Sequence, residues 1–192
     1  RDQAIERFRR EARAIARLAS PHTVRLFDFG VSDAGSPFYV MELLDGLDLH
    51  SLVERFGPLP PERAVAVLRQ ACRSLAEAHQ AGLLHRDVKP QNVLLCRLGL
   101  ECDVAKVVDF GLARSVGAGE AQITAEGAVT GTPAYMPPER VLGEPGDERS
   151  DVYALGGVAF FLLTGRAPFT GEPMAVMIHH VRTPPPLPSS LA

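Results

Sequence analysis

The sequence predicts an α+β fold, with a helix and antiparallel strands at the front and a longer, mainly helical remainder behind. Three observations carry this. Residues 4–19 place Phe8, Ala12, Ile15 and Leu18 on one helical face. Residues 24–29 and 38–43 are short apolar runs joined by a Gly- and Ser-containing connection at 30–37, as an antiparallel pair requires. From Pro60 onward, helical periods dominate and only short strand signals interrupt them.

Glu11 lies among the inward positions of the first helix, where it either pairs with a local arginine or reaches a cation outside the helix, since an unpaired buried charge is costly. Pro21 ends that helix, and Asp45-Gly46 is expected to break the second strand before a short helix over 49–55. The front unit is therefore expected to span 1–44, and a second unit 45–192.

Pro60-Pro61-Glu62 opens a helix whose face runs through Ala64, Leu68, Ala71, Cys72, Leu75 and His79 to a stop at Gly82. Cys72 reads as a buried small hydrophobe, and His79 as a helix-end hydrogen-bonding residue. Residues 93–95 and 104–108 read as short strands joined around Gly99. The stretch 111–138 has no period and reads as a long surface segment, of a length uncommon unless it is disordered or functional. Ser150 is expected to cap a helix over 151–163 that is apolar on nearly every side, Thr164-Gly165 ends it, and 174–181 forms one more short helix.

Composition excludes several classes. A net charge of -3 over 192 residues gives no general attraction for nucleic acid, and the arginines of the first helix lack an aromatic reading surface. Three irregularly spaced cysteines, Cys72, Cys96 and Cys102, suit neither a disulfide scaffold nor a four-ligand zinc site and fit reducing conditions. The apolar run 152–163 is shorter than the roughly 20 residues needed to cross a bilayer. A cytoplasmic segment is expected, with any membrane anchor lying elsewhere in a larger protein. An opening residue other than Met and a Pro-rich end suggest a chain cut at both ends.

The chemistry concentrates between His85 and Gly111. Asp87, Lys89 and Asn92 follow one another closely, and Asp109 returns after the strand pair. A carboxylate can orient a hydroxyl and accept its proton, an ammonium can neutralise phosphoryl oxygens, and an Asn oxygen with a second carboxylate can hold Mg2+. Spacing alone leaves two readings open, an active centre or a buried polar turn network.

At these residues the chain resembles the eukaryotic-type Ser/Thr protein kinases, especially their bacterial branch. The HRD-type loop is His85 through Asn92, the DFG element is Asp109-Phe110-Gly111, and 131–139 resembles the substrate-positioning loop with its APE element, Pro138 standing where alanine is usual. Asp151 matches the buried aspartate of the central helix. The resemblance implies a bilobal kinase fold with a partial N-terminal lobe and an incomplete, mainly helical C-terminal lobe. It implies ATP and Mg2+ as cofactors, with Mn2+ as a substitute, and as partners a Ser/Thr-containing protein substrate and a second kinase copy for activation.

By the same resemblance, Asp87 is the catalytic base or hydroxyl-orienting group, Lys89 contacts the transferred phosphate, and Asn92 and Asp109 hold Mg2+. Met41 corresponds to the gatekeeper, the backbone of Glu42 and Leu44 to the hinge contacts, and Leu94 to the floor beneath adenine. Thr132 supports the catalytic loop, and Glu11 pairs with a strand lysine. Ile15, Leu26, Phe110 and His85 form a hydrophobic column based on Asp151, and Glu139 ordinarily pairs with an arginine of a later helix. Arg86 implies control by loop phosphorylation at Thr124, then Thr130, then Ser115, with Glu126 as a fixed negative charge. The Gly-rich loop and pairing lysine of the family are expected upstream of Arg1, so this segment alone is expected to bind ATP poorly and phosphorylate little. The competing readings are a kinase-like binding or scaffold domain without catalysis and a small-molecule phosphotransferase of related fold.

Overall fold

The structure, a computed structural model, describes residues 2–110 and 133–190. Helix α1 (Asp2–Ile15) turns Phe8, Ala12 and Ile15 inward, which removes their apolar surface from water. Burying a side chain such as Phe8 is worth about 1.5–3 kcal/mol. Phe8 stacks on Tyr39 at 6.0 Å and meets Phe29 edge-on at 6.5 Å, fixing the helix on the hairpin of β1 (Leu26–Val31) and β2 (Pro37–Met41). The pair is antiparallel, from Leu26 opposite Met41 to Val31 opposite Pro37.

Strand β1 starts later than the expected residue 24. Val24 instead donates its N–H to the Val107 carbonyl at 2.9 Å, so the chain before β1 is tied to the other lobe. The second strand likewise ends at Met41 rather than 43, and Leu43 is solvent-exposed.

Asp45-Gly46 is not simply a break. Gly46 opens β3 (Gly46–Asp48), which pairs antiparallel with β4 (Val93–Leu98), itself paired with β5 (Glu101–Val107). A Cβ at Gly46 would run into the Leu95 carbonyl and come within 2.8 Å of Cys96 Cα, so only glycine permits this approach. Helix α2 (Leu49–Phe56) follows at once, its first turn capped by Asp48, whose carboxylate accepts the Ser51 N–H at 2.9 Å.

Helix α3 (Pro61–Gln80) buries Ala64, Val67, Ala71, Ser74, Leu75 and Ala78. Cys72 is exposed, against expectation, because one step beyond Ala71 turns a side chain about 100° off this face. After the short α4 (Pro138–Val141) comes α5 (Glu148–Thr164), buried on most sides. Its cap is Asp147, which accepts the Arg149 N–H at 2.8 Å, and not Ser150. The Ser150 hydroxyl instead donates to Glu139, so that carboxylate finds a partner inside the described residues. Gly165, at φ 76°, ends α5 in a left-handed cap, and α6 (Pro173–Arg182) closes the helical part.

A small lobe of α1 and the β1–β2 hairpin thus rests on a mainly helical lobe, and one apolar core runs from Phe8 through Val67 and Val107 to Leu162. Among the described residues no helix is long and apolar enough to cross a membrane.

Candidate active site

The register of β4 and β5 builds the site. Val93 faces Val107, so Asn92, just before β4, and Asp109, just after β5, emerge at the same end of the sheet. The Val108 N–H donates to the Asn92 carbonyl at 3.0 Å and locks the two ends together. The Asn92 amide nitrogen donates to the Asp87 carbonyl at 2.8 Å and to its carboxylate Oδ2 at 3.1 Å, while Lys89 Nζ reaches the same Oδ2 at 2.7 Å. Asp87, Lys89 and Asn92 are therefore one connected group. With its side chain 56% exposed, Asp87 gains little stability from the lysine; the contact fixes position rather than holding the fold.

A buried frame holds this loop from below. Asp151, 1% exposed on α5, accepts the backbone N–H groups of His85 and Arg86 at 2.8 Å each and lies 2.8 Å from His79 Nε2. Arg86 has φ 66° and Asp109 has φ 58°, left-handed conformations that cost about 1–3 kcal/mol each for a non-glycine residue. The Asp151 bond to the Arg86 N–H holds the first of these.

The protonation of His85 follows from its neighbours. Nδ1 accepts the Asp87 N–H at 3.2 Å, and Nε2 lies 2.9 Å from the Val108 carbonyl, so the ring is neutral with its proton on Nε2. Full burial pushes its pKa down, against the charge of Asp151, and both nitrogens are engaged within the fold. The ring lies 4.7 Å from that of Phe110, and Ile15, Phe110 and half-buried Leu26 belong to the same core. Glu11, Arg10, Ala14, Leu83, Arg86 and Phe110 line a cleft of about 250 Å³ between α1 and the start of this loop.

At the junction of the lobes, Met41 ends β2 opposite Leu26, half-buried Leu44 follows the exposed Leu43, and Leu94 sits in β4 opposite Lys106. Burial first, and then the charge of Asp109, push the Tyr39 hydroxyl pKa up. Gly111, Ser115, Thr124, Glu126, Thr130 and Thr132 lie outside the described residues.

Two contacts escape a reading of the sequence. Lys106, 6% exposed in β5, donates to half-buried Glu42 at 2.7 Å, and Glu42 also accepts the Arg25 N–H at 2.8 Å, so this ion pair straps the inter-lobe segment to the sheet. A lysine inside the apolar run 104–108 is the signal that could have pointed to it. Glu77 of α3 receives the N–H groups of Ala19 and Ser20 at 2.7 and 2.8 Å, anchoring the turn after α1; nothing local distinguishes it from an ordinary exposed glutamate.

A helix-and-hairpin lobe over a helical lobe, with this polar group at their junction, is the architecture of a protein kinase. The chain belongs to the protein kinase domain family, whose model matches residues 1–185. It is 50% identical over 171 residues to the serine/threonine-protein kinase PknL of Mycobacterium tuberculosis, covering 89% of this chain and 41% of that protein. It is 42% identical over 188 residues to PknB of the same species, covering 96% of this chain and 29% of the relative. Among solved structures, a double mutant of the Mycobacterium tuberculosis PknI kinase domain superposes with a TM-score of 0.74 at 30% identity, covering all of this chain and 66% of that one. Rad53 1-466 in complex with AMP-PNP gives 0.72 at 29% identity, covering 90% and 42%. The chain thus spans less than half the length of the curated relatives named here.

Proposed function

We propose that this chain carries the catalytic and Mg2+-binding half of a kinase that transfers the γ-phosphoryl group of ATP to a Ser or Thr hydroxyl of a protein. The observation that carries the reading is the convergence of Lys89 Nζ and Asn92 Nδ2 on one oxygen of Asp87, at 2.7 and 3.1 Å. These bonds hold the carboxylate in place, and its exposure leaves it able to accept the proton of an incoming hydroxyl. Lys89 then stands beside the attacked phosphoryl group and offsets the charge that grows there.

The donor set fits Mg2+. The Asn92 amide nitrogen is spent on Asp87, which leaves its Oδ1 as a hard oxygen donor, and the Asp109 carboxylate emerges from the adjacent strand end. Mg2+ is typically held by one or two such groups together with phosphate oxygens. When bound, the ion supplies charge neutralisation for the phosphates. Met41, Leu94 and the backbone of Glu42 and Leu44 flank the adenine in this reading, and Rad53, a relative at 29% identity, has been solved with AMP-PNP.

In the kinase domain containing this segment, transfer from ATP to a Ser/Thr protein should require Mg2+. D109N should raise the Mg2+ concentration needed for half-maximal rate at least tenfold. Nucleotide binding without any transfer would favour a kinase-like binding domain, and an unchanged Mg2+ requirement in D109N would contradict the assigned site.

A further inference from the structure

The small lobe meets the larger one at two stretches of chain, the turn 19–24 after α1 and the crossing 42–45 between β2 and β3, and both end on one buried ammonium. Lys106 Nζ donates to Glu42 Oε1 at 2.7 Å and, more weakly, to the Thr23 carbonyl at 3.4 Å. The turn is also held to β5 by its own backbone. The Val24 N–H donates to the Val107 carbonyl at 2.9 Å, and the Val107 N–H to the His22 carbonyl at 2.8 Å. Among the described residues the crossing makes no backbone bond to β5, so the Glu42 side chain is its tie to that strand.

Lys106 is also the cross-strand partner of Leu94, and directly opposed residues of an antiparallel pair project to the same face of the sheet. The stem of Lys106 thus lies beside the residue read as the floor beneath adenine, and its head holds the segment read as the edge. Arg25 does not compete for the carboxylate as a cation. Its N–H donates to the same Oε1 at 2.8 Å, while its guanidinium lies over the Phe27 ring at 5.8 Å. The Glu42 N–H donates to the Arg25 carbonyl and the Arg97 N–H to the Asp45 carbonyl, each at 3.0 Å, which pins the crossing at both ends. Among the described residues the backbone groups of Leu43 and Leu44 between these pins make no hydrogen bond.

We propose that Lys106, acting through Glu42, is a positioning residue for the nucleotide base: it sets the spacing between the 42–44 edge and Leu94, and with it the affinity for adenine. The inference rests on the kinase reading, which takes that edge and Leu94 as the two sides of the base site. Its physical ground is the cost of an unpaired buried cation. Any movement of the crossing away from β5 stretches the one short charge-assisted bond of Lys106, so the edge resists separation from the floor. An edge fixed beforehand binds a flat base more tightly, because the base does not have to order it. Asp87, Lys89, Asn92 and Asp109 have no part in this network, so the transfer step itself is left alone.

Three variants of the kinase domain containing this segment separate positioning from stability. K106M should raise the KM for Mg2+-ATP and the dissociation constant of adenosine by the same factor, about fivefold, with kcat and the KM for a Ser/Thr peptide within about twofold of wild type. Adenosine carries the base and no phosphate, so a shared factor places the loss at the base. K106R keeps a charged donor for the same oxygen and should bind adenosine within about twofold of wild type. K106M/E42Q lacks the strap but no longer leaves a carboxylate without its cation, so it should regain stability and still bind adenosine about fivefold more weakly. This double variant also reads the strap if K106M alone does not fold. An unchanged adenosine constant in K106M, wild-type affinity in K106M/E42Q, K106R as weak as K106M, or a loss for ATP that adenosine does not share would overturn the proposal. Wild-type protein that binds adenosine but transfers no phosphoryl group would defeat the kinase reading alone, with the adenosine constants still deciding the strap. A wild type that binds no adenosine would overturn both.

Discussion

Replacing Asp151 by Asn tests how the loop carrying Asp87 is held. The carboxylate receives the His85 and Arg86 N–H groups and adjoins His79, all at 2.8 Å and with 1% exposure. An asparagine retains one acceptor oxygen. If that oxygen keeps His85, the new amide group faces the Arg86 N–H, and a donor is left unsatisfied next to another donor. Leaving one such group orphaned costs about 1–3 kcal/mol. Exchanging the remaining charge-assisted bonds for neutral ones adds to this, so a loss of about 2–3 kcal/mol is expected. With a urea m-value of ~2 kcal/mol/M, the midpoint should fall by roughly 1 M at unchanged m. Hydrogen exchange should show the Arg86 amide, in the residue at φ 66°, losing more protection than that of His85. A midpoint shift below about 0.2 M, or equal loss at both amides, would refute this account of the frame.

Three further outcomes follow from the same contacts. K106M strips the half-buried Glu42 carboxylate of its buried cation and should cost about 1–3 kcal/mol, while a double-mutant cycle with E42Q should recover much of the loss; strictly additive effects in urea unfolding would deny the strap. G46A forces a Cβ into the Leu95 backbone and should destabilise the protein by about 1–3 kcal/mol, read as a lowered midpoint, with G46S no better. His85 and His180 are both pushed by burial below the ordinary value of 6.5, so the unfolded chain binds protons first as the solution is acidified. Their contribution is complete above pH 6.5 and is lost as pH falls from there toward the depressed folded values; a urea midpoint that rises on acidification over this window would contradict the burial.

What the sequence made legible was local. The helix over Pro61–Gln80 declares itself by a proline entry and a sustained apolar face, and the loop at 85–92 by the close succession of Asp87, Lys89 and Asn92, which spacing alone leaves as either an active centre or a polar turn network. Strand β3 did not show, because three residues beginning with glycine carry no period, and the need for Gly46 arises only from the approach of β4. Cys72 was misplaced by one step on a helix whose neighbouring position Ala71 is core. Asp147 and Ser150 are both good caps by type, and the choice between them turns on Glu139, which claims the serine hydroxyl. The Lys106–Glu42 strap and the Glu77 anchor join residues far apart in the chain, and such pairings have no local signature.

The central claim is that Asp87 acts on the substrate hydroxyl within a kinase site, and single-turnover transfer by the D87N kinase domain tests it most directly. Asparagine keeps the shape and the contacts from Lys89 and Asn92 but cannot take the proton. The rate of phosphoryl transfer from Mg2+-ATP to a Ser/Thr protein should fall by about 10²–10⁴ while nucleotide affinity stays within twofold. A D87N protein that transfers at the wild-type rate would contradict the account.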